Sequence, residues 1–187
     1  GVSSAWRWFA RGAREPRLST RGALDGRAPL ELDSLTVQYG TFCAVDRVTL
    51  RMNPGEVFGL LGPNGAGKTS IISVLTTLTQ ATGGRAMVFG EPVGAKNRYA
   101  KSLIGCVPQE TVSHGFFSVE EVLRFHSGYY GISDNSEQIA FLMHRIGLYE
   151  HRQKRVRQLS GGMKRRLLIA KALVHKPRLL LLDEPTA

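Results

Sequence analysis

The sequence predicts an α/β fold: a P-loop core sheet joined to an antiparallel β subdomain and a helical subdomain. Three observations predict it. Gly62-Pro63-Asn64-Gly65-Ala66-Gly67-Lys68-Thr69 fits G-x-x-x-x-G-K-[ST], a phosphate-binding loop, and an apolar run leads into it. Leu179-Leu180-Leu181-Leu182 reads as a strand buried on both faces and ends at Asp183-Glu184. Between these, apolar residues recur first with a period of two and then, from Ser118, with a helical period.

The chain has 187 residues, 42% of them hydrophobic, enough for one core and a small subdomain. No stretch approaches the roughly 20 apolar residues that span a bilayer. Two cysteines, Cys43 and Cys106, lie far apart and predict reduced thiols. The net charge of +10 raises nucleic acid or an anionic surface as partners. Its distribution argues otherwise, because residues 1–28 hold six arginines against two acids and residues 151–182 hold ten Lys or Arg with no carboxylate. The rest of the chain is net negative. No zinc-ligand spacing, stacking ladder or RNA-binding signature accompanies the charge, so no nucleic acid is expected.

Taken in order, residues 1–29 lack a sustained period and predict a disordered Arg-rich leader, with an organelle-targeting segment or a misassigned start as the alternatives. The ordered domain begins at 30. Leu30, Leu32, Leu35 and Val37, then Val45, Val48 and Leu50, predict two half-buried strands joined through Tyr39-Gly40-Thr41. A turn at Asn53-Pro54-Gly55-Glu56 leads to a strand at Val57-Phe58-Gly59-Leu60-Leu61. The phosphate loop requires a helix after it, although its Ile71-Ile72-Ser73-Val74-Leu75 run is rich in β-branched residues. Thr82-Gly83-Gly84 is expected to end that helix. Strands follow at 85–89, closed by Gly90-Glu91-Pro92, and at 103–107. The helical subdomain is expected over about 111–175. It holds a helix capped by Ser118, a second opened by Asp134 or Ser136 and stopped by Gly147, and a third over about 161–174.

The chemistry is read from residue types. Glycines let successive N–H groups of the loop point inward as an anion cradle, Lys68 adds a cation for the β- and γ-phosphates, and the Thr69 hydroxyl suits Mg²⁺. Ser160-Gly161-Gly162 opens a helix with a cap and exposed N–H groups, a second anion site. Asp183 at a strand end can hold Mg²⁺ through water, and Glu184 can orient or deprotonate a water. Gln109, just past a strand end, can reach both, and Tyr39 can stack on an adenine ring.

In this order, the phosphate loop, Gln109, Leu159-Ser160-Gly161-Gly162-Met163 and Leu179 to Glu184 resemble the nucleotide-binding domain of ATP-binding cassette (ABC) transporters over about residues 30–187. The resemblance implies ATP and Mg²⁺ as cofactors. It implies that Gly62 to Thr69 with Ser70 hold the phosphates, that Tyr39 stacks on adenine, and that Thr69, Gln109 and Asp183 serve the metal. Lys68, Gln109 and Glu184 are then the catalytic residues, and Gln109 couples ATP to the membrane partner. Ser160, Gly161 and Gly162 reach across a homodimer, or a paired nucleotide-binding domain, to the other chain's ATP. The implied partner is a transmembrane permease, and the implied place is the cytoplasmic face of the membrane. Val107 to Glu110, Gly128 to Gly131 and Leu159 to Arg166 are similar to bacterial type-2 exporter ATPases. The family continues beyond Asp-Glu-Pro-Thr-Ala with a D-loop, further core strands and a switch histidine, so a C-terminally truncated, weakly active cassette is expected. The alternatives are an ABC-type ATPase acting on nucleic acid or ribosomes, and a non-catalytic ATP-binding fragment.

Overall fold

The computed structural model describes residues 26–59, 67–109 and 115–183. Strands β1 (Glu31–Tyr39) and β2 (Phe42–Arg51) form an antiparallel hairpin. Strand β3 (Gly83–Val88) pairs with the other edge of β1, and the short β4 (Glu91–Pro92) pairs with β3, giving the order β2-β1-β3-β4. The residues that alternate inward, Leu32, Leu35, Val37 and Val45, are buried. Leu32 and Leu35 are three apart, which strict alternation forbids. A register shift between them solves this, with Ser34 in the left-handed region at φ 50°. Such a bulge inserts one residue and resets the face on which the next side chain lands.

That bulge also corrects an expectation. Gly83 and Gly84 do not end a helix; they begin β3, with Gly84 at φ 68°. A Cβ on Gly84 would stand 2.2 Å from the Ser34 carbonyl oxygen, so the glycine is there for close strand contact. The preceding helix, α1 (Lys68–Leu75), stops earlier. Thr76 turns its Oγ1 back onto the Ile72 carbonyl at 2.8 Å, and Thr77 adopts φ 61°. Hydroxyls bonded back onto the helix and β-branched side chains both disfavour continuation.

A second sheet pairs β5 (Ile104–Val107) with β6 (Leu179–Leu182) in parallel, Ile104 opposite Leu179 and Val107 opposite Leu182. Only Leu179 of β6 is buried and the next three leucines are half-buried, so β6 is not covered on both faces as expected. The expected strand at 57–61 also differs. Residues 57–59 join no ladder, Val57 is 91% exposed, and Leu60 and Leu61 lie outside the described residues. An apolar run supplies hydrophobicity, but a strand exists only where a neighbour takes its N–H and C=O groups. A short helix absent from the sequence reading, α2 (Arg98–Ser102), is capped by Asn97, whose side chain accepts from the Ala100 N–H.

The helical part follows its predicted signals closely. Helix α3 (Val119–Tyr129) begins at a full capping box: Ser118 Oγ accepts from Glu121 N–H, and Glu121 Oε2 accepts from Ser118 N–H. Helix α4 (Ser136–Arg145) has Asn135 at its cap position, between the two expected openers. Asn135 Nδ2 instead bridges Ser127 Oγ at 2.9 Å and the Val174 carbonyl at 2.8 Å. Two 3₁₀ turns, Tyr149–His151 and Val156–Gln158, lead into α5 (Gly161–Leu173). Helices α3, α4 and α5 enclose a core of Val119, Leu123, Ile139, Met143, Leu148 and Val174. A separate core joins β1–β3, α1, Ile104 and Leu179.

Candidate nucleotide site

The start of α1 is built unlike the other helix starts. Its cap residue, Gly67, sits at φ 81° with no side-chain hydrogen bond to the first turn, and no acid occupies that turn. The first turn of a helix carries N–H groups without partners inside the helix and the positive end of the dipole. A site of this kind fits an anion, and the residues at it, Lys68, Thr69 and Ser70, add a cation and two hydroxyls. Gly67 is fixed by close approach: a Cβ would lie 2.3 Å from the Ala44 carbonyl oxygen and 3.0 Å from Val45 Cγ2. Ala44 is the extra residue of a further bulge, where the register passes from Val37–Val45 to Gln38–Cys43. The β1–β2 hairpin is thus seated against the end of the phosphate loop.

Thr69 and Asp183 line one cavity of about 480 Å³ between α1, the β5–β6 edge, α3 and α5. Parallel pairing holds Asp183 at the end of β6, where its N–H donates to the Val107 carbonyl at 3.0 Å. Among the described residues no group of three or more His, Cys, Asp or Glu could hold a metal. A hydroxyl and a carboxylate on one cavity nonetheless suit Mg²⁺, which keeps several waters and takes further oxygens from phosphates.

Gln109 is exposed, two residues beyond β5. The Pro108 carbonyl beside it accepts from Arg165 Nη1 at 2.7 Å, so α5 pins the segment that carries Gln109. Tyr39 lies 47% exposed at the hairpin end. Ser160 caps α5 by accepting from the Met163 N–H, and Gly161 and Gly162 are exposed with open space where a Cβ would stand. The structure therefore brings Thr69 and Asp183 together and keeps the Ser160 segment off that cavity. Gly62 to Ala66 and Glu184 lie outside the described residues.

Sequence reasoning missed the cavity's inner wall. His175 donates from Nε2 to the Ile104 carbonyl at 3.0 Å and stacks on Tyr130 at 3.7 Å. Since the carbonyl can only accept, the proton sits on Nε2, and the buried Nδ1 has no hydrogen-bond partner. Burial holds the His175 pKa below its ordinary value, against the raising effect of that carbonyl. Burial likewise lowers Lys171. Cys106 is pushed up to about 11, by burial first and then by the Asp183 charge, so its thiol stays neutral. Tyr130 lies in the Gly128 to Gly131 motif, but no periodic or motif signal marks Cys106, Lys171 or His175, because these residues meet only through the packing of α3 and α5 on β5.

The comparisons with known proteins agree with this geometry. Residues 45–187 match the family model described as ABC transporter. The chain belongs to the ABC transporter family. It is an ATP-binding domain of that family, with the P-loop fold, an antiparallel sheet and helices, and the family binds ATP. The Nod factor export ATP-binding protein I of Cupriavidus metallidurans is 41% identical over 161 residues, which are 85% of this chain and 53% of that protein. The linearmycin resistance ATP-binding protein LnrL of Bacillus subtilis is 38% identical, over 84% of this chain and 51% of that protein. This ABC transporter chain therefore spans about half the length of the curated relatives it matches. Among solved structures, the ATP-binding subunit of an ABC transporter superposes with a TM-score of 0.76 at 26% identity, covering 84% of this chain and 66% of that one. cbiO1 from Clostridium perfringens, part of the ABC transporter complex cbiONQ, superposes at 0.73 and 27%, covering 86% and 67%. Among the described residues, no helix of this ABC chain is long and apolar enough to cross a membrane.

Proposed function

We propose that this chain is the ATP-binding and ATP-hydrolysing part of an exporter that drives a separate transmembrane permease from the cytoplasmic face of the membrane. The observation that carries the proposal is the start of α1: an uncapped helix end on a left-handed glycine, with Thr69 and Asp183 on one adjoining cavity. Export is supported by the relatives, which are named for Nod factor export and linearmycin resistance. Bound Mg²⁺–ATP supplies the β–γ phosphoanhydride bond that is cleaved.

Each residue then has a task. Gly62, Asn64, Gly65, Ala66 and Gly67 present backbone N–H groups to phosphate, Pro63, which has no N–H to donate, shapes the turn of the loop, and Ser70 adds a hydroxyl. Lys68 offsets charge at the β- and γ-phosphates, a role for a point charge rather than a planar guanidinium. Thr69 and Asp183 hold Mg²⁺. Glu184 orients a water and accepts its proton. Gln109 couples this site to the permease, and the Arg165–Pro108 bond holds its backbone in place. Tyr39 stacks on adenine. Ser160, Gly161 and Gly162 serve the ATP of a second copy, which suits their exposure and their distance from their own chain's cavity. The ordered domain is assigned to 30–187, with a helical subdomain at about 111–175.

Titration with a fluorescent ATP analogue tests the site. Lys68→Ala should weaken binding by about 2–5 kcal/mol, the cost of removing one partner from charge-assisted contacts. Equal affinity in the variant would show that this loop is not the nucleotide site. Glu184→Gln should retain binding and lower phosphate release by about 10²-fold or more, since Gln keeps the shape and loses the basic oxygen. Release at the wild-type rate would remove Glu184 from the catalytic role.

A further inference from the structure

The turn that leads into α3 carries apolar rings that the fold leaves uncovered. Phe116 is 77% exposed, Phe117 42% and Phe125, on α3, 58%. Phe117 and Phe125 meet edge to face, with ring centroids 5.0 Å apart. A single exposed phenylalanine needs no explanation, but three at one turn mark a surface that meets something.

The basic segment between α4 and α5 is tied to this turn. Arg157 N–H donates to the Gly115 carbonyl at 3.2 Å, and Val156 N–H to the Phe117 carbonyl at 2.9 Å. In return, the N–H groups of Val119 and Glu120 donate to the carbonyls of Lys154 and Arg152, both at 3.1 Å. These four bonds fix rings and cations side by side, so little ordering entropy is lost when a partner arrives. Lys154, Arg155 and Arg157 are exposed, and the Arg157 guanidinium lies 5.8 Å from the centre of the Phe116 ring. The acids of the α3 first turn are already engaged. Glu120 accepts from Arg124 and Gln153, and Glu121 accepts from the Ser118 N–H. Residues 151–182 contain no acid at all.

We propose that this patch docks the helical part of the chain directly onto an anionic lipid leaflet. Exposed rings flanked by Lys and Arg suit a bilayer surface, where the rings enter the headgroup region and the cations meet lipid phosphates. Such a surface asks for no shape-matched groove, only apolar area and positive charge. Phe116, Phe117 and Phe125 supply the first, and Lys154, Arg155 and Arg157 the second. The lipid contact goes beyond the permease reading, because it needs no second protein. It is also independent of the nucleotide site, since none of these residues lines the cavity of Thr69 and Asp183.

The test is co-sedimentation of the full chain with vesicles of phosphatidylcholine, with and without phosphatidylglycerol. Residues 1–28 hold six arginines of their own, so the background chain carries Arg7→Gln, Arg11→Gln, Arg14→Gln, Arg17→Gln and Arg21→Gln. That chain should bind the anionic vesicles and not the neutral ones. Adding Arg155→Gln with Arg157→Gln should weaken binding about 10- to 30-fold, as one cation at an anionic surface contributes roughly fivefold. Phe116→Ser should weaken it about 3- to 10-fold, the effect of withdrawing part of one ring from the lipid boundary. Arg155→Lys with Arg157→Lys should stay within about twofold of the background, since lipid phosphates here read charge and not a planar fork. Equal urea midpoints confirm that these exposed substitutions leave the fold intact. The proposal fails if the background chain no longer binds anionic vesicles, which would assign the attraction to residues 1–28. It fails if the glutamine pair or Phe116→Ser leaves binding unchanged. It fails too if the lysine pair loses as much as the glutamine pair, the mark of a protein partner that takes the guanidinium forks.

Discussion

Helix α5 starts at Ser160, whose Oγ accepts a hydrogen bond from the Met163 N–H, whereas α1 starts at Gly67, which has no side chain to offer and adopts φ 81°. Both starts are glycine-rich and neither has an acid in its first turn. At α5 the glycines stand in open space and the chain supplies its own cap. At α1 the glycine is wedged against the Ala44 carbonyl, and the chain leaves the helix end to something else. Motifs that look alike as strings of glycine therefore have different physical reasons. One glycine is required by its neighbours; the others keep a surface clear for what approaches it.

Substitutions sharpen that contrast. Gly67→Ala has the largest expected effect. It places a methyl group 2.3 Å from a backbone oxygen in a left-handed conformation, and both terms are unfavourable. A loss of about 2–4 kcal/mol in urea unfolding is expected. Wild-type stability would show that the hairpin is not seated on the loop. Ser160→Ala removes a self-supplied cap and should cost about 1 kcal/mol by the same measurement. No change would mean that the Met163 N–H is satisfied equally well by water. Gly162→Ala meets nothing within 4 Å and lies inside α5, so it should raise stability by about 0.5–1 kcal/mol. A loss of stability there would erase the difference between the two helix starts.

Just past α5 the expected effect depends on pH. His175 is buried as the neutral ring, and its pKa lies below the ordinary 6.5. Above that value neither state binds the proton and the group is silent. As pH falls below 6.5 the unfolded chain protonates first, so stability drops by at most about 1.4 kcal/mol per pH unit until the folded-state pKa is reached. Unfolding measured at pH 7.5 and 5.5 should show a larger acid loss in wild type than in His175→Gln, which keeps a donor for the Ile104 carbonyl. An identical loss in both would exclude His175 from the acid response.

The signals for the candidate site are legible because they are local. A glycine loop before Lys68-Thr69, a cap at Ser160 and an acid after four leucines are each fixed by a few adjacent residues. The capping box at Ser118 was readable for the same reason, since its two hydrogen bonds span three residues. Helix α1 and β3 were misjudged at their junction because Gly83 and Gly84 carry a helix-stop signal by themselves. Their actual role depends on Ser34, some 50 positions away in the chain. At 57–59 the expected strand is absent for a similar reason, as hydrophobicity is a property of the run while a ladder is a property of its neighbours.

By itself, the sequence determined the phosphate-loop motif, the two-residue strand period followed by the helical one, the helix caps at Ser118 and Ser160 and the acids that follow the last strand. Backbone preference and side-chain reach act over three or four residues and need no fold to express them. The tertiary structure alone decided that Ala44 faces Gly67, that Phe42 shares a face with Tyr39, that Arg165 holds the Pro108 carbonyl, and that Thr69 and Asp183 line one cavity. Those relations come from strand register, bulges and helix packing. Register sets which residues face one another across a sheet, and a one-residue insertion reverses it, so no local pattern can specify it.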